Sequence, residues 1–272
     1  MFMKKKKCKQ ILLVYLIPYI FFRTLIMHNL KSSTKFFYTF NFFAILFYLY
    51  LTTNKPSRKL TKNSEQIEEN IARQCGVCLK FRHSRVYHCL HCCKCSFKPY
   101  YHSYYIKTCI NGDNLANFIR LIFIFKIFLI FNIIIYYSEL HYLIFSNRIH
   151  RTKTIALYFF TILFFLFFIF LEIFFSFIYH IKLVMFNLLP IEIEILQRID
   201  ELILEDKIFY FKFGKKYFNP FDRGKINNLV NCLGKPYFLF LIGGNVKDGV
   251  DQIIKILHVN WPDDLRKRYI IV

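Results

Sequence analysis

Apolar positions in this chain fall in long blocks separated by strongly polar ones, with little of the alternation that marks half-buried strands. Four blocks reach or approach the roughly 20 apolar residues needed to cross bilayer hydrocarbon: Gln10 to His28, Lys35 to Thr53, Phe118 to Tyr137 and Thr154 to Ile178. The pattern predicts a transmembrane helix in each. The fourth block is an almost unbroken run of Phe, Leu and Ile, apolar on every side, which no single soluble core accommodates. The first is interrupted by Pro18 and Arg23 and follows the basic run MFMKKKKCK. That run resembles a signal-peptide n-region, but no small-residue cleavage site follows it, so the block reads as an uncleaved first span.

Between the second and third blocks, from Asn54 to Asn117, the chain is polar, basic and rich in Cys and His. After His180 a tail carries an amphipathic helical pattern at Ile191 to Phe211, then the stretch NPFDRGKINNLVNCLG. Most Lys and Arg lie in the N-terminal run, the 54–117 loop and the tail, whereas the connections at 29–34 and 138–153 are short. The positive-inside rule then places both termini and the Cys/His loop in the cytosol. The predicted fold is an all-α polytopic membrane protein: four transmembrane helices with a cytosolic cysteine-rich module between the second and third. It divides at residues 1–53, 54–117, 118–178 and 179–272. The organelle, endomembrane or plasma membrane, is not legible. Lys126 and Glu172 fall at similar depth on the third and fourth spans, and charges inside spans usually pair or face the bundle interior. They are expected to face each other or to share a polar contact in the cavity between the helices.

Composition sharpens this. The 272 residues are 56% hydrophobic and carry a formal net charge of +21, a combination that fits separate lipid-facing and cytosolic blocks. A nucleic-acid partner is the other usual meaning of such charge. Four spans, and no long recognition helix between the Cys and His residues, weigh against it. Seven of the nine cysteines lie between Cys75 and Cys109, interleaved with histidines. That clustering suits metal binding in a reducing compartment better than a disulfide framework.

The cluster reads Cys75-x2-Cys78, nine residues, His88-Cys89-x2-Cys92-Cys93-x-Cys95, six residues, His102, six residues, Cys109. Thiolate and imidazole donors at such spacings are what tetrahedral zinc requires. This pattern resembles the cysteine-rich domain of the DHHC protein palmitoyltransferases, C-x2-C-x9-HC-x2-C-x2-C-x4-DHHC-x5-C, at the same place between spans two and three. The likeness continues through Asn114 and Phe118, then His180 and Glu192 where the family has its TTxE stretch, with Leu189-Pro190 replacing the threonines. It ends in Asn219-Pro220-Phe221-Asp222-x-Gly224-x3-Asn228-x5-Gly234, similar to the family's C-terminal motif.

The resemblance implies two Zn2+ ions, one held by Cys75, Cys78, His88 and Cys95 and one by Cys89, Cys92, His102 and Cys109. It implies transfer of an acyl chain from palmitoyl-CoA to a protein cysteine. In the signature, however, Asp-His-His-Cys has become Tyr100-Tyr101-His102-Ser103. Carried over position by position, the nucleophile is Ser103, the base Tyr101 and the orienting acid Tyr100, while His102 keeps the metal role. A Ser hydroxyl needs an adjacent base, and a tyrosine with a pKa of about 10 is protonated at neutral pH and accepts protons poorly. Removing base and nucleophile together commonly costs several orders of magnitude in rate.

The resemblance therefore implies a pseudoenzyme, inactive or strongly impaired, that lies among membrane lipid and serves as a regulatory partner of a protein substrate or another acyltransferase. An active S-palmitoyltransferase with a variant nucleophile is the alternative. It would use Ser103 or Cys93, the one thiol of the module not needed as a ligand. Cys8, among lysines, reads as an acylation target, and Cys232 as a packing residue.

Overall fold

The computed structural model describes residues 18–22, 24–26, 31–54, 73–79, 81–82, 85–145, 149–194 and 221–234. Among these described residues, three helices are long and apolar enough to cross a membrane: α1 (Ser32–Asn54), α2 (Leu115–Phe145) and α3 (Ile149–Phe186). Each overruns its predicted block, because backbone hydrogen bonding carries a helix past the hydrocarbon limit that sets the apolar run. The predicted first span lies mostly outside the described residues; within it, residues 18–22 and 24–26 are helical. The amphipathic stretch Ile191–Phe211 also lies mainly outside them, with helix at 190–194. A nine-residue helix, α4 (Lys225–Leu233), follows.

The mostly helical chain departs from the all-α expectation in the Cys/His segment. There, among the described residues, six short strands form three consecutive antiparallel hairpins: β1 (Arg73–Gln74) with β2 (Phe81–Arg82), β3 (Val86–Cys89) with β4 (Lys94–Phe97), and β5 (Tyr101–Ser103) with β6 (Thr108–Ile110). Strands this short give no hydrophobic alternation to read in the sequence, and two-stranded ribbons need outside support to persist.

The chain forms two compact units. One contains the membrane-type helices. Its core is largely aromatic, with Phe21, Tyr38, Phe42 and Phe128 buried together and Phe21 stacked on Phe42 at 3.9 Å between ring centroids. A buried polar node joins three segments: the Asn132 carbonyl accepts from the Tyr38 hydroxyl at 2.8 Å and lies 3.2 Å from the Thr24 hydroxyl. The Asn132 amide donates to the Phe128 carbonyl at 2.7 Å.

The expected pairing of Lys126 with Glu172 does not form. Lys126 Nζ lies over the rings of Phe174 and Phe177, at 4.8 and 4.3 Å, while Glu172 is exposed. The reason is helical phase. Each residue turns the helix by about 100°, so Glu172 points well away from the face that carries Phe174 and Phe177.

The second unit holds the hairpins and the segments after α3. At its centre Arg85 forks onto Glu192, Nε to Oε1 at 2.7 Å and Nη2 to Oε2 at 2.8 Å. Arg85 also donates to the Asn187 side chain and carbonyl at 3.0 and 2.7 Å, and its guanidinium lies 4.2 Å from the Phe221 ring centroid. Glu192 accepts in addition from the Leu189 N–H at 2.8 Å. Burial pushes the Glu192 carboxyl up, with Arg85 pulling against it. Asn228 ties α4 into the same unit by donating to the Met185 carbonyl at 2.8 Å and to Asp222 at 2.7 Å. Asn219 and Pro220 lie outside the described residues.

Candidate metal centre

The hairpins supply donors in two ways, and the middle one uses both. A C-x2-C pair wraps its turn: Cys75–Cys78 between β1 and β2, and Cys89–Cys92 at the turn from β3 to β4. The residue after each pair takes a left-handed backbone, Leu79 at φ 55° and Cys93 at φ 51°, which closes the turn at a steric cost to any residue with a Cβ. The other way is a cross-strand pair. In the antiparallel register His88 lies opposite Cys95 on β3 and β4, and His102 lies opposite Cys109 on β5 and β6. Residues directly opposite keep their Cβ atoms about 4.5–5.5 Å apart, close enough for both side chains to reach one ion.

These donors converge as two tetrads, Cys75, Cys78, His88 and Cys95, and Cys89, Cys92, His102 and Cys109, with the donor atoms of each set within 4.8 Å of one another. In the first, His88 Nδ1 lies 3.1 Å from Cys78 Sγ and 3.7 Å from Cys95 Sγ. In the second, His102 Nδ1 lies 3.2, 3.7 and 3.8 Å from the sulfurs of Cys92, Cys109 and Cys89. Tetrahedral zinc, with bonds of about 2.3 Å to sulfur and 2.0–2.1 Å to nitrogen, spaces its donors by roughly 3.5–3.8 Å. Three thiols and one imidazole at these separations fit a closed structural zinc site. The backbone N–H groups of Cys78 and Val77 hold the Cys75 thiol down to about 6, whereas burial pushes Cys95 up to about 12. A bound cation would draw such thiols into the thiolate form that ligates it.

The chain neighbours His88 and Cys89 belong to different tetrads. Successive strand residues point to opposite faces, so β3 serves one centre from each side. The middle hairpin therefore contributes to both centres, and the outer hairpins to one each.

The signature residues are placed by the same alternation. His102 turns to the thiols, while Tyr101 and Ser103 lie on the other face of β5. Tyr101 is partly exposed and Ser103 is buried, opposite Thr108 in the register. No described residue hydrogen-bonds the Ser103 hydroxyl. Tyr100 is buried, its N–H donating to the Ile110 carbonyl at 2.8 Å. Cys93 is the exposed thiol of the module, with Sγ 3.5 Å from the Leu90 carbonyl. Cys232 is half-buried and Cys8 lies outside the described residues.

Asn114 secures the last donor strand. Its side chain donates to the Cys109 carbonyl at 2.9 Å and accepts from the Asn111 N–H at 2.8 Å. Sequence reasoning missed Arg85. It stands in the nine-residue spacer beside Arg82, and no spacing or residue type separates the two.

Among curated proteins no match to the chain is found. Residues 68–195, which hold both tetrads, the YYHS segment, α2, α3 and Glu192, match the family model described as DHHC palmitoyltransferase. Those residues carry a domain of the DHHC palmitoyltransferase type.

Proposed function

We propose that the chain keeps the metal-held scaffold of its family while its acyl-transfer chemistry is lost or strongly impaired, and that it acts as a regulatory pseudoenzyme. The observation that carries this reading is the setting of the YYHS segment. His102, the only imidazole in the signature, has its Nδ1 within 3.8 Å of three thiols. The hydroxyl at the nucleophile position, Ser103, has no described hydrogen-bond partner to take its proton. A serine without an adjacent base is a weak nucleophile, and the nearest signature side chain on its own face is the phenol of Tyr101. The oxyester it could form would also be a poorer acyl donor to a cysteine than the family's thioester.

In this reading the two tetrads hold Zn2+ in a cytosolic module and the apolar block Gln10 to His28 adds a fourth span. Both termini are cytosolic, and the domain limits follow the apolar blocks. Palmitoyl-CoA is the candidate ligand. The partner is a protein, either a substrate or another acyltransferase, and no nucleic acid is involved. The exposure of Cys93 favours a second reading, an active transferase with a displaced nucleophile.

Labelling of the purified full chain with palmitoyl-CoA, followed by hydroxylamine, separates the two. The expected result is no acyl-protein, or a trace of hydroxylamine-resistant oxyester. Strong hydroxylamine-sensitive labelling that disappears in Cys93→Ala would establish the active reading instead.

A further inference from the structure

The helix α3 carries a surface that neither the family's chemistry nor its metal sites explain. Only 6% of an 18-residue apolar stretch within Phe159–Phe186 is buried, against 50% of the corresponding stretch within Leu115–Tyr142 of α2. Its inward face, with Leu166 and Ile173, packs beside Leu129 and Tyr136 of α2. Elsewhere on the helix, Phe165, Phe168, Glu172, Phe175 and Tyr179 are all exposed.

The intervals between these five residues are three, four, three and four, the spacing that lines one seam of a helix in a left-handed helix pair. Glu172 is the middle member. It lies ten residues before Lys182, about 15 Å along the helix at 1.5 Å per residue, and so well inside the apolar stretch. An ionisable side chain at such depth ordinarily faces protein or a water-filled cavity. Here it faces outward, and no described residue bonds it.

We propose that this seam is the contact between two copies of the chain, with Glu172 of one copy meeting Glu172 of the other. Copies inserted in one orientation bring their α3 helices together in parallel about a two-fold axis along the bilayer normal. In such a contact each seam residue meets its own counterpart at its own depth. A second copy is thus the partner in which a polar group opposite Glu172 is guaranteed by symmetry. The two side chains meet across the axis and hydrogen-bond, so each copy supplies what the other lacks. The aromatic members above and below supply packing area where lipid gives no hydrophobic drive, and interhelical hydrogen bonds add to it.

The test is single-molecule counting of the full-length protein, labelled at its C-terminus, in neutral phosphatidylcholine vesicles over a series of protein-to-lipid ratios. Wild type should pass from monomer to dimer as the ratio rises. Glu172→Leu should need at least about a tenfold higher ratio, by loss of the central hydrogen bond. Glu172→Gln should stay close to wild type, because carboxamides also pair. Phe175→Ala should weaken the dimer, and Phe167→Ala, exposed on another face of α3, should not. Since Glu172→Leu only makes the helix more apolar, loss of folding does not confuse the result. A wild type that stays monomeric at every ratio, or a Glu172→Leu curve that overlays wild type, overturns the proposal.

Discussion

Arg85 and Glu192, 107 residues apart in the chain, meet as a two-pronged ion pair with both side chains fully shielded from solvent. Arg85 immediately precedes β3, the strand that feeds both metal tetrads, so the pair links the metal module to the segment after α3 within one unit. A buried pair adds little compared with an apolar isostere, but removing one partner strands the other.

Arg85→Met should therefore destabilise the second unit by about 3–5 kcal/mol, read as faster amide exchange at residues 187–194 and 221–234. The double replacement Arg85→Met with Glu192→Met should cost less than either single change. A double variant as damaged as the sum of the singles would contradict this account.

The middle hairpin serves both tetrads, and this leads to a second expectation. Metal analysis should give two zinc ions per chain. Cys75→Ala should remove one and loosen the other, because His88 and Cys89 are consecutive residues on β3. Chelation should unfold all three hairpins together, as structural zinc can supply most of the folding energy of a small module. Independent release of the two ions, with the hairpins unchanged in between, is the contrary outcome.

A third expectation concerns the signature. Ser103→Cys alone should restore little autoacylation, because Tyr101 still stands at the base position. Tyr100→Asp, Tyr101→His and Ser103→Cys together should restore more, provided that the buried site of Tyr100 accepts the carboxylate. Palmitoyl-CoA labelling with hydroxylamine cleavage measures both, and equal restoration by the single change would show that the base is supplied from elsewhere.

A fourth concerns the polar node among the apolar helices. Asn132→Leu removes the acceptor shared by Tyr38 and Thr24 and should cost about 0.6–2 kcal/mol, seen as a lower midpoint in detergent unfolding. Tyr38→Phe, which removes one donor only, should cost less.

Much of this protein is legible in one dimension. Apolar blocks long enough to cross a bilayer reveal α1, α2 and α3, because backbone groups in hydrocarbon must bond within their own segment and so leave a continuous run. The Cys and His spacing is equally readable, since a C-x2-C turn is a local structure. The replacement of three signature residues by Tyr100, Tyr101 and Ser103 is a fact of sequence as well.

Other features are decided only by tertiary structure. The assignment of His88 and Cys89 to opposite centres follows from the faces of β3, and strands of two to four residues leave no periodic trace. Equal depth made Lys126 and Glu172 look like partners, yet helical phase turned Lys126 onto Phe174 and Phe177 and Glu172 outward. Arg85 is one of two similar arginines in its spacer until the fold brings Glu192 to it. Depth and spacing are properties of a single segment, whereas facing and pairing belong to two segments at once, and so need the packed molecule to define them.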